Sequence, residues 1–274
     1  MNKAAIALGY ILVVLGAVSM IAPFLWMAAV SFMTDSQIFS FPPGFIPHPF
    51  TFANYANIFE KLPVTRFFLN SLFVALITTF FQVLFSAMAG FAFARGSFRH
   101  KDLLFFMFLV TMMIPPQVNI IPLFFLMREL HLIDTYQALI LPGVFGGFGV
   151  FLMRQWFKSM SSEIEDAAKI DGCNMWQTFF KIALPLSLSA LVTLALFTFI
   201  TTWNSFMWPL IVTNSPEITT LPVALSAFKS SFRETVLWGD LTACSIVLSL
   251  PVTAVFLLGK KYFISDMLSG GIKE

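Results

Sequence analysis

Long apolar runs alternate with short polar connections along almost the whole chain. Six runs contain no charged residue, and each is close to the ~20 residues that a helix needs to cross a bilayer. These runs are residues 8–33, 67–94, 103–127, 136–153, 187–212 and 241–259. The pattern predicts an all-α, polytopic membrane protein with six transmembrane helices. The first run continues through Phe32, which favours a membrane helix over a cleaved signal peptide.

The connections between the runs carry an uneven distribution of basic residues. With the N-terminus in the cytoplasm, eleven of the sixteen Lys and Arg residues lie on the cytoplasmic side and five on the outer side. This is the bias that the positive-inside rule describes. It predicts that both termini, the connection 154–186 and the tail 260–274 are cytoplasmic.

Composition strengthens the membrane interpretation and narrows the partners. The chain is 58% hydrophobic and 11% charged, whereas soluble domains carry about 25% charge. Its basic residues are scattered singly, which argues against a nucleic-acid partner. The two cysteines and three histidines lie in separate segments, so the sequence predicts neither a disulfide framework nor a metal site.

Two of the apolar runs contain residues that disturb a straight helix. Pro115 and Pro116 fall in the third run and must break or kink it. The fourth run has small residues that permit close helix packing. They are Gly143, Gly146, Gly147 and Gly149.

The most polar connection, EIEDAAKIDGCNMWQTFFKIALP, contains six of the thirty charged residues in 23 positions. Local rules resolve it into two short helices. Ser162 caps the first, with Glu165 completing a capping box, and Gly172 ends it. Asn174 caps the second, with Gln177 as its reciprocal partner. The segment is therefore expected to form a helical hairpin between the fourth and fifth runs.

Three functions are open for this hairpin. It can lie on the membrane surface as an amphipathic element. It can dock into a groove of a soluble partner, because Ala and Gly side chains allow close backbone approach. A DNA-binding role is disfavoured, because the acidic residues of the first helix would meet phosphates.

The energy source of a transporter would lie outside this chain. The six runs lack the ionisable residues that ion-coupled carriers keep within the membrane. The chain also lacks the phosphate-binding motif G-x-x-x-x-G-K-[ST]. A separate ATPase fits both absences, and a passive channel or facilitator is the alternative.

Polar and aromatic residues inside the runs are candidates for contact with cargo. Gln117 and Asn119 follow the proline pair of the third run, and Asn204 lies between Trp203 and Trp208 in the fifth. An amide can bind sugar hydroxyl groups, and an indole can pack on the apolar face of a sugar. The alternative is that these amides form hydrogen bonds between helices.

The hairpin resembles the signature of permease subunits of bacterial ABC importers, Glu-Ala-Ala, three residues, Gly, nine residues, Ile-x-Leu-Pro. The matching positions are Asp166, Ala167, Ala168, Gly172, Ile182, Leu184 and Pro185. Asp166 replaces the usual Glu, which keeps the charge and shortens the side chain. Further segments resemble the maltose-type, carbohydrate-uptake branch: NSL at 70–72, IPPQVNIIPLF at 114–124, DTYQALILP at 134–142, WNSFMWPL at 203–210 and SGGIK at 269–273.

This resemblance implies a type I ABC importer permease fold, with one transmembrane permease domain over residues 1–274 in the bacterial inner membrane. Connection 154–186 would hold the coupling helix, in which Glu165 and the signature residues dock onto an ATP-hydrolysing subunit. The implied partners are a second permease subunit, forming a heterodimer, two ATPase subunits and an outer solute-binding protein. ATP and Mg²⁺ would bind the ATPase, so this chain would hold no cofactor and catalyse no reaction.

The resemblance also implies the cargo and a role for the C-terminus. The cargo would be a sugar, an oligosaccharide or a glycerol-phosphate-like compound, moved by alternating access. Tails of this branch carry a similar Ser-Gly-Gly sequence that reaches between the ATPase subunits. Ser269, Gly270 and Gly271 are therefore expected to contact an ATPase.

Overall fold

The computed structural model describes residues 3–42, 44–231 and 237–270, with side chains over 6–42, 44–226 and 237–261. Every regular element in these residues is helical, which confirms the all-α prediction. The α-helices are α1 Lys3–Ser31, α2 Asp35–Ile38, α3 Ala53–Lys61, α4 Val64–Arg95, α5 Lys101–Met113, α6 Pro116–Glu129, α7 Tyr136–Ile140, α8 Gly147–Ser159, α9 Ser162–Ile170, α10 Met175–Thr178, α11 Leu184–Leu186, α12 Leu188–Trp203, α13 Met207–Val212, α14 Leu221–Ser231 and α15 Trp238–Gly270. A 3₁₀ turn, Leu141–Gly143, follows α7, and a π-helical turn, Phe179–Ala183, follows α10.

Within the described residues, three helices are long and apolar enough to cross a membrane unbroken. They contain Ile6–Ser31, Val64–Arg95 and Trp238–Lys261, close to the first, second and sixth predicted runs. Three further candidates are bent pairs, α5 with α6 at 101°, Tyr136–Gly143 with α8 at 40°, and Met175–Leu186 with α12 at 76°. Counting each pair as one span gives up to six, so the six-span topology stays a prediction.

Proline and glycine account for two of the bends. The break between α5 and α6 falls at Ile114 and Pro115, which confirms the prediction for the third run. The fourth run bends after the 3₁₀ turn that contains Pro142 and Gly143. The fifth run is not one helix either, because α12 ends at Trp203 and α13 begins at Met207.

The chain divides into two compact units, Met1–Arg66 with Leu221–Leu250, and Phe67–Thr220 with Pro251–Glu274. In the first unit, the Asn54 amide donates to the carbonyl oxygens of Ser31 and Met33, at 2.9 and 2.8 Å. These bonds satisfy backbone acceptors at the end of α1. Lys61 forms an ion pair of 2.9 Å with the buried Asp240 at the start of α15.

In the second unit, a hydrophobic core joins α4 and α8 to the π-helical turn Phe179–Ala183 and to α12. Its buried members are Ala87, Phe91, Met153, Phe157, Phe179, Ala183, Ala190 and Leu194. Gly90 brings α4 against α8, since a Cβ there would lie 2.6 Å from Met153 Cβ and 2.8 Å from the backbone nitrogen of Arg154. The helices are therefore in backbone contact at this crossing.

The second unit also has a polar network around the chain segment that follows α13. Asn70 donates to the carbonyl oxygens of Glu217 and Thr219, both at 2.9 Å. Asp134 accepts hydrogen bonds from the backbone N–H groups of Asn214 at 2.7 Å and Ser215 at 3.0 Å. These backbone donors hold the pKa of the Asp134 carboxyl below its ordinary value. The network fixes this connection to α4 and to the loop before α7.

Candidate functional site

The helical hairpin, residues 161–186, begins with a serine cap one residue earlier than the sequence predicts. Ser161 precedes α9, and its side chain accepts from the backbone N–H of Glu163 at 3.2 Å. The prediction of Ser162 as the cap is wrong, because that residue is the first of the helix. With the start moved by one residue, Glu165 has no place in a capping box.

The turn and the second helix of the hairpin follow the predicted rules. Gly172 has a φ of 77°, in the left-handed region that glycine adopts without steric cost. The backbone N–H of Cys173 bonds to Ala168 O at 2.9 Å, and that of Gly172 to Lys169 O at 3.0 Å. This pair is a Schellman motif. Asn174 and Gln177 form the reciprocal capping box, as predicted.

One arginine at the end of α4 anchors the base of the hairpin. Arg95 Nε lies 2.7 Å from Glu165 Oε1, and both side chains are mostly buried. Arg95 Nη2 also donates to the carbonyl oxygens of Phe157 and Met160, at the end of α8. The guanidinium therefore ties α4, α8 and α9 together.

The opposite edge of the hairpin is exposed and partly apolar. Ile170 is 87% exposed and Trp176 is 61% exposed. The ion pair between Asp166 and Lys169, at 3.0 Å, is also at the surface. Of the predicted coupling residues, Asp166, Ala167, Gly172 and Pro185 are exposed, Ile182 and Leu184 are half-buried, and Glu165 and Ala168 are buried. The signature thus combines a buried root with an accessible edge.

Two adjoining cavities lie in the second unit where helices are interrupted. The hydroxyl-lined cavity, of about 320 Å³, is lined by Ser71, Val74, Thr78, Gln82, Leu139, Pro142, Gly143, Phe145, Thr201, Thr202, Trp203, Ser205, Trp208, Pro209 and Thr220. The amide-lined cavity, of about 420 Å³, is lined by Pro116, Gln117, Asn119, Ile120, Leu123, Pro142, Ser205, Phe206, Met207 and Trp208. Pro142, Ser205 and Trp208 belong to both, so the cavities are neighbours.

The structure brings together most of the predicted cargo residues. Gln117, Asn119 and Trp208 line the amide-lined cavity. Trp203 reaches the hydroxyl-lined cavity but is only 1% exposed, and it stacks on Phe199 with ring centroids 5.9 Å apart. Its main role is therefore in packing.

Two of these predicted residues use their polar groups for hydrogen bonds within the chain. Asn204 lines neither cavity, and its amide donates to Ile200 O at 2.9 Å. This bond caps the end of α12 from within the same helix, so it is neither a contact with cargo nor the hydrogen bond between helices that the sequence left open. Trp208 Nε1 donates to Ala138 O at 2.9 Å, so its N–H group is already used within the chain.

Sequence reasoning missed Arg95 and the polar face of α4. Ser71, Thr78 and Gln82 recur at intervals of seven and four residues, which places them on one helix face. This shared face could have been predicted from the sequence. Arg95 gave a weaker signal, a single cation at the end of an apolar run, and its acidic partner lies 70 positions away.

Comparison with known proteins identifies the class to which this fold and hairpin belong. Residues 82–267 match the family described as Binding-protein-dependent transport system inner membrane component. The match takes in more than half of the chain, so the chain belongs to this family. The chain is a permease component of an importer and a multi-pass protein of the cell membrane. The family description therefore favours an importer over a passive channel.

Two relatives show how far the similarity extends. The chain is 34% identical over 230 residues to the arabinooligosaccharides transport system permease protein AraQ of Halalkalibacterium halodurans, covering 84% of this chain and 82% of that protein. It is 33% identical over 264 residues to the lactose transport system permease protein LacG of Rhizobium radiobacter, covering 96% and 95%.

A solved structure confirms the ABC importer permease fold. It is the crystal structure of a bacterial ABC transporter involved in the import of the acidic polysaccharide alginate. The TM-score is 0.86 at 23% sequence identity, and the match covers 96% of this chain and 99% of that one.

Proposed function

We propose that this chain forms part of the path by which a sugar or sugar-like solute enters the cell, and that the helical hairpin couples this path to a separate ATPase. Membership of the importer family supports the transport role. Relatives named for arabinooligosaccharides and lactose support the carbohydrate cargo. The mechanism is alternating access, in which ATPase closure moves the hairpin and the cavities change the side to which they open.

The observation that carries the coupling role is the contrast between the two edges of the hairpin. Glu165 and Phe179 fix its root to α4 and to the core, so the hairpin moves with the helices to which it is attached. Ile170 and Trp176 are left exposed at the other edge. An ATPase groove that covers these side chains would remove apolar surface from water.

Membership of the importer family supports the rest of the proposed assembly. Two ATPase subunits bind ATP and Mg²⁺, and this chain holds no cofactor and acts as no enzyme. A second permease subunit completes the path as a heterodimer, and an outer solute-binding protein delivers the cargo. Both termini and the hairpin face the cytoplasm, in agreement with the distribution of basic residues. Within the tail, Ser269 and Gly270 end α15, and Gly271 lies outside the described residues.

The substitution Gly172→Asp tests the coupling role. A Cβ at this position meets nothing within 4 Å, and Asp is one of the side chains that tolerate a positive φ. The positive φ strains any side chain here, but Asp is among those that adopt it, so the hairpin should keep its fold and present a new charge to the partner. We expect normal amounts of protein in the membrane, loss of most sugar uptake, and weaker copurification of the ATPase.

Gly172→Asn is the matched control, because it has the same shape and turn preference without the charge, and we expect a smaller loss of uptake. Full uptake by Gly172→Asp would contradict the coupling role. A second measurement addresses the channel alternative: liposomes that contain this chain alone should retain trapped lactose, whereas leakage without ATP would indicate a channel.

A further inference from the structure

We propose that the hydroxyl-lined cavity binds the uncharged hydroxyl groups of a saccharide during transport, with Thr78 and Gln82 of α4 as contacts. The inference rests on the proposed function and deepens it, because it assigns a cargo site to this subunit and a neutral character to the cargo. It also adds Thr78 and Gln82, which the sequence analysis did not name, to the candidate cargo residues.

The chemistry of the lining is that of a site for a neutral polyol. Seven of its fifteen residues carry a hydroxyl or an amide, and none is charged. The polar members are Ser71, Thr78, Gln82, Thr201, Thr202, Ser205 and Thr220. Hydroxyl and amide groups both donate and accept hydrogen bonds, as sugar hydroxyls do. A phosphate or carboxylate would lose its hydration here without gaining a cation.

The position of the cavity along the helices also fits a cargo site. The midpoint of α4, Val64–Arg95, falls between Thr79 and Phe80, so Thr78 and Gln82 lie halfway along it. The other walls come from the interruption between α7 and α8 and from that between α12 and α13. Interrupted helices near the bilayer midplane form the substrate sites of many transporters, because irregular backbone at that depth must be covered by protein or line a cavity.

Two buried hydroxyl groups in the lining have no partner in the part of the chain that the structure describes. Thr78 is 1% exposed and Thr220 is 4% exposed, and neither Oγ1 makes a hydrogen bond there. A buried hydroxyl without a partner costs free energy. Both hydroxyl groups are covered in this structure, so a cargo hydroxyl would supply the missing bonds once the cavity opens during transport.

Two glycines keep the polar side chains of α4 at the cavity. A Cβ on Gly143 would lie 2.7 Å from Thr78 Cγ2, and one on Gly146 would lie 2.5 Å from Gln82 Nε2. Any larger residue at either position would displace these side chains or fill the space beside them. The bend between α7 and α8 thus makes room for the side chains that we assign to cargo.

An aromatic surface completes the site. The rings of Phe145 and Trp208 line the cavity beside the hydroxyl groups. Since the indole N–H of Trp208 is bonded to Ala138 O, this ring offers cargo its face. Because Trp208 also lines the amide-lined cavity, cargo could pass from Thr78 and Gln82 towards Gln117 without leaving protein groups that bind hydroxyls.

The test uses the intact transporter in cells and replaces the two polar contacts separately. Thr78→Val and Gln82→Met preserve approximate size and remove the hydrogen-bonding groups. Thr79→Val is the matched control. Its hydroxyl is also buried without a partner among the described side chains, but it faces two otherwise apolar cavities. The probes are labelled lactose, maltose, cellobiose and arabinobiose as neutral sugars, and digalacturonate as an anionic one.

We expect the wild type to import a neutral probe and to exclude digalacturonate. Loss of one hydrogen bond to cargo corresponds to a roughly three- to tenfold effect. Thr78→Val and Gln82→Met should lower the maximal uptake rate by that factor. The half-saturating concentration should change little, because the binding protein sets it. Thr79→Val should stay within about twofold of the wild type by the same reasoning, since it loses no bond to cargo.

The possible failures are distinguishable. Unchanged uptake rates in both α4 variants, with a wild type that imports a neutral sugar, would overturn the cargo site and leave the proposed function standing. Loss of complex assembly in those variants but not in Thr79→Val would show a packing role and would also overturn it. A wild type that imports only digalacturonate would refute the neutral cargo. If no probe enters, the proposed function fails with the inference.

Discussion

Among single residues, Arg95 and Glu165 show what sequence reasoning can and cannot reach. Local rules correctly gave the Gly172 turn and the Asn174 cap, because each depends on residues fewer than six positions away. The same rules gave Glu165 a capping role, whereas the structure pairs it with Arg95. Their contact exists only after α4 and α9 have packed, so no local pattern reports it.

The ion pair at the hairpin root yields a stability prediction. Arg95→Met should destabilise the protein by about 3–5 kcal/mol, because it leaves a mostly buried Glu165 carboxylate without its cation. The double variant Arg95→Met/Glu165→Leu should recover part of this loss, since both charges are then absent. Thermal unfolding of the purified protein in detergent would measure both effects.

Lys169→Met provides the control for this pair, because it breaks an ion pair that lies at the surface. Such exposed pairs contribute about 0–1 kcal/mol. If Arg95→Met unfolds at the same temperature as Lys169→Met, the buried pair does not hold the hairpin, and the double variant should then show no recovery.

At the level of whole elements, the sequence located the helices better than their interruptions. The unbroken helices α1, α4 and α15 match predicted runs because a long apolar stretch is decided by composition. Pro115 and Pro116 also marked their break. The break after α12 was not predicted, although Pro209 in the first turn of α13 gives a signal for it, because a proline cannot continue a helix through the carbonyl four residues earlier. That break is one of those that form the cavity walls.

Gly147 and Gly149 of the fourth run pack closely, as predicted, because a Cβ on either would lie within 3 Å of atoms of α5 or α4. Gly90, which was not predicted, gives the sharpest test of close helix packing. Gly90→Ala should destabilise the protein by about 1–3 kcal/mol, because the added methyl group meets the backbone of α8, which cannot rotate away. Gly16→Ala in α1 is the control, since a Cβ there meets nothing within 4 Å. It should be neutral or stabilising by up to about 1 kcal/mol. Equal unfolding temperatures for the two variants would contradict the close crossing of α4 and α8.

For the molecule as a whole, composition and a sequence motif were sufficient to predict the class of protein. The proposed cargo site could be found only from contacts in the structure. The all-α membrane architecture follows from six uncharged runs, and the family follows from the spacing of the hairpin signature. Neither shows that Thr78 and Gln82 face interruptions in helices more than sixty residues further along the chain. Such sites depend on long-range packing, and the sequence analysis named neither Thr78 nor Gln82.

The C-terminal tail gives a prediction for the assembled transporter. The 33 residues of α15 correspond to a helix of about 50 Å, whereas the hydrocarbon core is about 30 Å thick. The end of α15 should therefore extend beyond the membrane and present the tail to the ATPase. Deleting residues 268–274 should lower transport-coupled ATP hydrolysis while leaving membrane insertion intact, which hydrolysis assays in proteoliposomes would measure. Hydrolysis and uptake equal to the full-length protein would exclude this role.

The lack of buried side chains in α1 has a consequence for the order in which the helices insert into the membrane. Residues 6–29 contain no side chain that the rest of the described chain buries. Away from its ends and from Pro23, the backbone groups of α1 are satisfied within the helix. During translation, α1 can therefore insert into the bilayer as soon as it has been synthesised, and it is stable there without contacts to later segments. The interrupted helices are not stable alone in this way, because the unpaired backbone groups at their breaks must be covered by segments that are synthesised later. Biogenesis is therefore expected to begin with a finished first helix and to end with the closure of the cavity walls.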